Sequence, residues 1–196
     1  VDQSLKQGTK IKDVIDTAGE VAKLGVPALV MSYWNPIEAN GVKKFASDLA
    51  SAGGVGVITP DLTPEEAVDW IESTEGKLDR VFLVALSSTN ERIATICNVT
   101  TGFIYAGAVM GVTGARSSIS DSVKDLVART RKHTDLPIAV GLGVSSPAQA
   151  IEIAQYADGV IVGSAFINAV QQAPDFESGL IAVKKLASEL KAGISK

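Results

Sequence analysis

Six short runs of the chain are apolar almost without interruption: residues 27–34 (PALVMSYW), 54–59 (GVGVIT), 80–86 (RVFLVAL), 102–108 (GFIYAGA), 137–143 (PIAVGLG) and 159–165 (GVIVGSA). A strand with one solvated face alternates apolar and polar positions, whereas a strand covered on both faces does not. These runs therefore predict the strands of a parallel sheet. Their starts lie about 22 to 35 residues apart, the length of one strand, one helix and their turns. Between them the period changes. Ile11, Val14, Ile15, Ala18, Val21 and Ala22 recur at the spacing of one helix face. Leu180, Val183, Leu186, Ala187 and Leu190 predict the buried stripe of a last helix, and residues 90–97 and 120–132 predict a short and a longer one. TPEE at 63–66 and SPAQ at 146–149 read as capping boxes with proline at the first helical position.

No Pro/Gly/Ser-rich linker and no block of like charge interrupts this pattern, which predicts a single domain over 1–196. Six parallel units and one leading helix are an odd count, because the common closed barrel uses eight in about 250 residues. The chain also has no initiator methionine and opens inside a helix-like stretch, so it reads as a piece of a longer protein. An open doubly wound sheet is the alternative, weakened by the lack of a Gly-x-Gly-x-x-Gly after the first strand.

Composition narrows the function classes. With 46% apolar and 20% charged residues the chain is not a disordered one. Its 18 basic and 22 acidic residues leave a net charge of −4 and no basic stripe, which argues against nucleic acid as a partner. A lone cysteine, Cys97, excludes an intrachain disulfide framework and any multi-cysteine metal site. No apolar run reaches the ~18 residues of a membrane helix and no signal-peptide core opens the chain, so a soluble cytoplasmic protein is expected.

In α/β barrels the chemistry sits at the C-terminal ends of the strands. Three glycine-rich segments lie at or just after the ends of the last three runs: GVTGA at 111–115, GLGVSS at 141–146, and Gly163-Ser164. Glycine lets the backbone approach an anion, and a following helix offers unpaired N–H groups, so Gly143, Gly163 and Ser164 are candidates for a phosphate. The same glycines would also serve tight turns. No cation lies in the last two loops, and Arg116 is the nearest charged side chain in sequence. Asp61 is the one carboxylate immediately at a strand end, either a general base or an organiser of its turn. His133 falls at a helix end, where a cation suits the dipole, and Cys97 reads as packing. Neither a Ser-His-Asp set nor a metal cluster can be assembled, and no convincing catalytic pair appears.

The order and spacing of GVTGA, GLGVSSP at 141–147 and GVIVGSA at 159–165 resemble one family, the α subunit of tryptophan synthase. MSYWNP at 31–36, ITPDLTPEE at 58–66, FLVALSST at 82–89 and GFIY at 102–105 agree, and the YWNP variant is similar to the actinobacterial branch. The resemblance runs essentially end to end. It implies a (β/α)8 TIM barrel of which this chain holds six strands, units three to eight, with the preceding helix. The implied reaction is the aldol-type cleavage of indole-3-glycerol phosphate to indole and glyceraldehyde 3-phosphate, needing no cofactor and no metal. Indole would pass to a β subunit, which carries pyridoxal phosphate, in an α2β2 complex.

Carried onto this sequence, the resemblance assigns the phosphate to Gly114, Gly143, Gly163 and Ser164. Tyr33, Tyr105 and Leu142 become pocket walls, with leucine where many members have phenylalanine. Thr113 becomes the loop threonine that bonds the catalytic aspartate on closure. Asn35 and Asp61 would face the β subunit. The family's catalytic glutamate, at the end of its second strand, and its aspartate, in an SDP…DGP loop, have no counterpart among these residues. The chain is therefore expected to be inactive alone, short by roughly 60 residues, two βα units. Runs 27–34 and 159–165 would then be free edges, inviting self-association. The competing readings are a non-catalytic docking module for the β subunit, or another phosphate-binding barrel such as indoleglycerol-phosphate synthase or a phosphoribosyl isomerase. The latter need a lysine or carboxylates at strand ends, and this chain offers none beyond Asp61.

Overall fold

A computed structural model describes residues 2–107, 116–141 and 143–194. It divides into two compact units, Val1–Leu83 with Thr95–Ile104, and Val84–Ala94 with Tyr105–Lys196.

The first unit opens with helices α1 (Asp2–Lys6) and α2 (Ile11–Lys23), followed by strand β1 (Leu29–Met31) and helices α3 (Trp34–Asn40) and α4 (Val42–Ala52). Then come strand β2 (Gly56–Ile58), a 3₁₀ turn (Pro64–Glu66), helix α5 (Val68–Thr74) and strand β3 (Asp79–Val81). The strands form a parallel sheet ordered β1-β2-β3, with Leu29 opposite Gly56 and Gly56 opposite Asp79. Val30, Val57 and Val81 of the strands and Ile37, Phe45, Leu49 and Trp70 of the helices are all buried. Each such side chain, fully withdrawn from water, contributes about 1.5–3 kcal/mol.

The second unit holds most of strands β4 (Leu83–Ala85) and β5 (Ile104–Gly107) and the start of helix α6 (Asn90–Val99). Helix α7 (Arg116–Arg131), strand β6 (Ile138–Gly141), helix α8 (Pro147–Ile153), strand β7 (Gly159–Ile161) and helices α9 (Ser164–Gln171) and α10 (Phe176–Ile194) complete it. The sheet order is β4-β5-β6-β7, and Val84, Ala106, Ile138 and Val140 are fully buried. Among the described residues no helix is long and apolar enough to cross a membrane.

All six apolar runs contain strand, but run 80–86 is two strands, β3 and β4, with buried Phe82 between them. The break has a hydrogen-bonding cause. The Arg80 N–H donates to the Thr101 hydroxyl at 2.9 Å, and the Thr101 N–H donates to the Arg80 carbonyl at 2.9 Å. A loop residue thus takes the groups that a neighbouring strand would have used. Strands β1 and β7 each lie at the edge of their own sheet, as expected of runs 27–34 and 159–165.

Two helical stripes are narrower than expected. On α2, Ile15, Ala18 and Gly19 are buried, while Val14 and Val21 are 40% and 36% exposed beside an open groove along β1. On α10, Leu190 is buried but Leu180 is 51% exposed and Ala187 is exposed. The packed line of α10 runs instead through Gly179, Val183, Leu186, Leu190 and Gly193. A Cβ on Gly193 would stand 2.9 Å from Ile151 of α8, and one on Gly179 would stand 3.4 Å from Val170 of α9. Close approach at the two glycines sets the contact line, and Leu180 and Ala187 fall one position off it.

The two capping boxes also differ. Ser146 and Gln149 form the reciprocal pair at the start of α8, with Gln149 N–H to the serine hydroxyl at 3.4 Å and Ser146 N–H to the glutamine carbonyl at 3.2 Å. At 63–66 the Thr63 hydroxyl donates to the Glu66 carboxylate at 2.8 Å and accepts no main-chain N–H, so the segment is a 3₁₀ turn and α5 begins only at Val68.

Candidate functional site

Within the second unit, β6 and β7 run parallel with Ala139 opposite Gly159 and Gly141 opposite Ile161. This register brings the two following loops side by side, with Gly143 and Gly163 each two residues past the last pair. Gly143 has φ +63°, a left-handed conformation that favours glycine. Gly163 has φ −125° and ψ −75°, outside the left-handed region. Among the described residues, a Cβ built on Gly163 would meet nothing within 4 Å, so none of them packs against the place a side chain at 163 would take.

The helices after these loops offer different numbers of donors. At α8, Pro147 has no N–H and Gln149 is bonded to Ser146, so the helix start is largely satisfied. At α9 the preceding residue is Gly163, without a side chain to cap anything. The N–H groups of Phe166 and Ile167 reach the Gly163 carbonyl at 3.0 and 3.4 Å. Those of Ser164 and Ala165 have no carbonyl of the helix to bond. They form, with the dipole, a positive and open helix start.

Tyr105, on β5, lies half-buried across β6. A Cβ on Gly141 would fall 2.5 to 2.7 Å from its ring carbons, so the absence of a side chain at 141 seats the ring. Burial pushes the Tyr105 hydroxyl above the usual tyrosine range, so it holds its proton further into the alkaline range.

Within the first unit the structure brings Asp61 to the end of β1. Both carboxylate oxygens accept the main-chain N–H of Trp34, at 2.9 and 3.1 Å. Asp61 therefore organises the turn, one of the two roles its sequence position allowed. The Trp34 ring packs edge-on against buried Trp70, 5.8 Å between centroids. Tyr33 and Asn35, on either side of Trp34, are exposed, Tyr33 by 68%. The apolar run 27–34 places Trp34 at a strand end; in the structure it is the first residue of α3. Its partner lies 27 residues along the chain, so no local pattern marked it.

The remaining candidates separate cleanly. His133 follows the last turn of α7, its N–H on the Thr130 carbonyl at 2.9 Å, as a helix-end residue should. Cys97 is buried on α6, and burial raises its thiol above the usual range. Arg116 is the first residue of α7. Thr113, Gly114 and Leu142 lie outside the described residues. No group of three or more His, Cys, Asp or Glu that could hold a metal occurs among the described residues.

A profile of the family described as Tryptophan synthase alpha chain matches residues 1–195. The tryptophan synthase alpha chain of Thermobifida fusca is 52% identical over 197 residues, covering 98% of this chain and 73% of that one. That of Nocardia farcinica is 52% identical over 194 residues, covering 98% and 71%. Among solved structures, tryptophan synthase from M. tuberculosis in an aminoacrylate-bound form superposes with a TM-score of 0.89 at 43% identity, over 100% of this chain and 72% of that chain. A tryptophan synthase alpha chain from Legionella pneumophila gives 0.85 at 29% identity, over 98% and 72%. The parallel buried strands and these likenesses together give the chain the α/β fold of the (β/α)8 barrel class. The chain belongs to the tryptophan synthase alpha chain family, and by family it is a lyase.

Proposed function

We propose that this chain supplies the phosphate grip and the pocket walls for cleavage of indole-3-glycerol phosphate to indole and glyceraldehyde 3-phosphate. The observation that carries the reading is the start of α9 behind Gly163, where, among the described residues, no side chain caps the helix and a Cβ at 163 would meet no atom within 4 Å. An alkyl phosphate suits that place, its charge met by backbone donors and the helix dipole. Gly114, Gly143, Gly163 and Ser164 hold the phosphate in this reading. The family resemblance assigns Tyr105, Tyr33 and Leu142 to the walls of the indole pocket and Thr113 to the loop that closes it.

Cleavage breaks the bond between the indole ring carbon and the glycerol chain, with one proton leaving the chain hydroxyl and one arriving at the ring carbon. Two positioned proton-transfer groups each contribute about 10²–10⁴-fold to such a step. In the family these are a glutamate at the chain hydroxyl and an aspartate at the indole nitrogen. The site residues named here include no such pair. We therefore expect the polypeptide of these 196 residues to bind substrate without releasing indole. No cofactor belongs to this chain; pyridoxal phosphate stays with the β subunit. The setting is the cytoplasm.

A second reading, docking to the β subunit without chemistry, draws on exposed Asn35 beside the fixed Trp34 turn. The test is a pair of measurements on the purified chain. Calorimetry with indole-3-propanol phosphate should show binding, and an indole-release assay should show none. Normal indole production would overturn the inactivity, and no binding of the analogue would overturn the phosphate reading. Stimulation of tryptophan formation from indole and serine by an added β subunit would support docking.

A further inference from the structure

The loop that carries Gly143 is closed by one side chain of the helix after it. The side-chain oxygen of Gln149, on α8, accepts the Ser145 N–H at 2.8 Å, the Ser145 hydroxyl at 3.2 Å and the Ser146 N–H at 3.2 Å. A capping box uses only the last of these, paired with the Gln149 N–H on the Ser146 hydroxyl at 3.4 Å. The two bonds to Ser145 go beyond the cap and reach back toward the glycine. Between them and Gly143 stands Val144, whose side chain is buried at 2% exposure, while Gly143 itself is exposed. The segment is thus fixed twice, by a packed side chain and by an oxygen that gathers three donors. Gly143 holds φ +63°, and among the described residues nothing lies within 4 Å of the place its Cβ would take. The β6–β7 register sets this loop beside the start of α9, and these strands, loops and helices all belong to one compact unit.

We infer that Gln149 is a positioning residue for the phosphate grip: by holding Ser145 as well as Ser146, its side-chain oxygen fixes the backbone on which Gly143 meets the anion. The inference rests on the phosphate reading proposed above. Gln149 does not touch the anion in this role. Its bonds also use the donors of 145 and 146 inside the loop, so the anion is left to Gly143 and to the start of α9. The Ser146 hydroxyl, by contrast, accepts the Gln149 N–H and so serves the helix. Capping of α8 and placement of Gly143 are therefore separable by substitution.

The test is calorimetry of the whole chain with inorganic phosphate, beside urea unfolding, for Gln149→Met, Gln149→Ala and Ser146→Ala. Gln149→Met keeps the length of the side chain and removes the oxygen. It should weaken phosphate roughly five- to tenfold, the effect of losing one well-placed acceptor, and Gln149→Ala should weaken it at least as much. Ser146→Ala should lower the unfolding midpoint about as far as Gln149→Met does, yet leave phosphate affinity within about twofold. A role confined to capping α8 would make binding follow the midpoint in all three variants. Phosphate affinity unchanged in Gln149→Met, or reduced as far by Ser146→Ala, would overturn the positioning role while the phosphate reading stands. Failure of the unaltered chain to bind phosphate would overturn both.

Discussion

The ring of Tyr105 occupies the place where any residue other than glycine at 141 would put its Cβ, 2.5 to 2.7 Å from two ring carbons. Gly141→Ala must therefore displace the ring or the strand. Overpacking of this kind costs about 1–3 kcal/mol. Urea unfolding should show that loss, and Gly141→Ala combined with Tyr105→Ala should lose less than the sum of the two single changes. Strict additivity would mean the two residues do not share the space.

Gly143 and Gly163 should separate stability from binding. Gly143→Ala forces a side chain into φ +63° and should cost roughly 1–2 kcal/mol in unfolding. Gly163→Ala meets no atom of the described residues and should unfold within about 0.5 kcal/mol of the unaltered chain. Its methyl would nevertheless stand in the space before α9, so inorganic phosphate should bind at least roughly tenfold more weakly by calorimetry. Unchanged phosphate binding in Gly163→Ala would remove the main support for the grip.

Trp70 is fully buried and its indole N–H has no hydrogen-bond partner. Trp70→Phe removes that unsatisfied donor while keeping an aromatic ring against Trp34 and Phe45. The lost ring area and the relieved polar group offset each other, so a change within about 1 kcal/mol is expected in thermal unfolding. Trp70→Ala, which empties the site, should cost about 3–5 kcal/mol.

Stability should fall on the alkaline side. Burial raises the Cys97 thiol above its usual 9.0 and the Tyr105 hydroxyl above its usual 10.0, so the folded chain holds these protons where the unfolded chain has begun to release them. Their contribution is complete below the unfolded values and is lost as pH rises through the folded ones. Unfolding midpoints followed upward from pH 8 should decline first near 9, and Cys97→Ala should flatten the earlier part of that decline. An unaltered slope in Cys97→Ala would assign the effect elsewhere.

Local chemistry was legible in the sequence and partnership was not. The apolar runs located every strand because double-sided burial leaves its mark on each residue in turn. The division of run 80–86 depends on Thr101, which no pattern within the run can announce. SPAQ and TPEE are the same signal, yet only the first closes both bonds, because Thr63 spends its hydroxyl on the Glu66 carboxylate. The candidate phosphate loops were visible as glycines, but the contrast between a capped α8 and an uncapped α9 lies in hydrogen bonds that no residue pattern announces. Asp61 could be placed at a strand end and no further, since its partner is 27 residues away.

The open start of α9 has a consequence for how the chain responds to its medium. Main-chain N–H groups and a serine hydroxyl do not titrate between pH 5 and 9, and neither the loop after β6 nor the one after β7 carries a cation. A grip of that composition has no ionisation of its own to impose. Its affinity for a phosphate ester should climb with the ligand's second deprotonation, near pH 6, and then stay level.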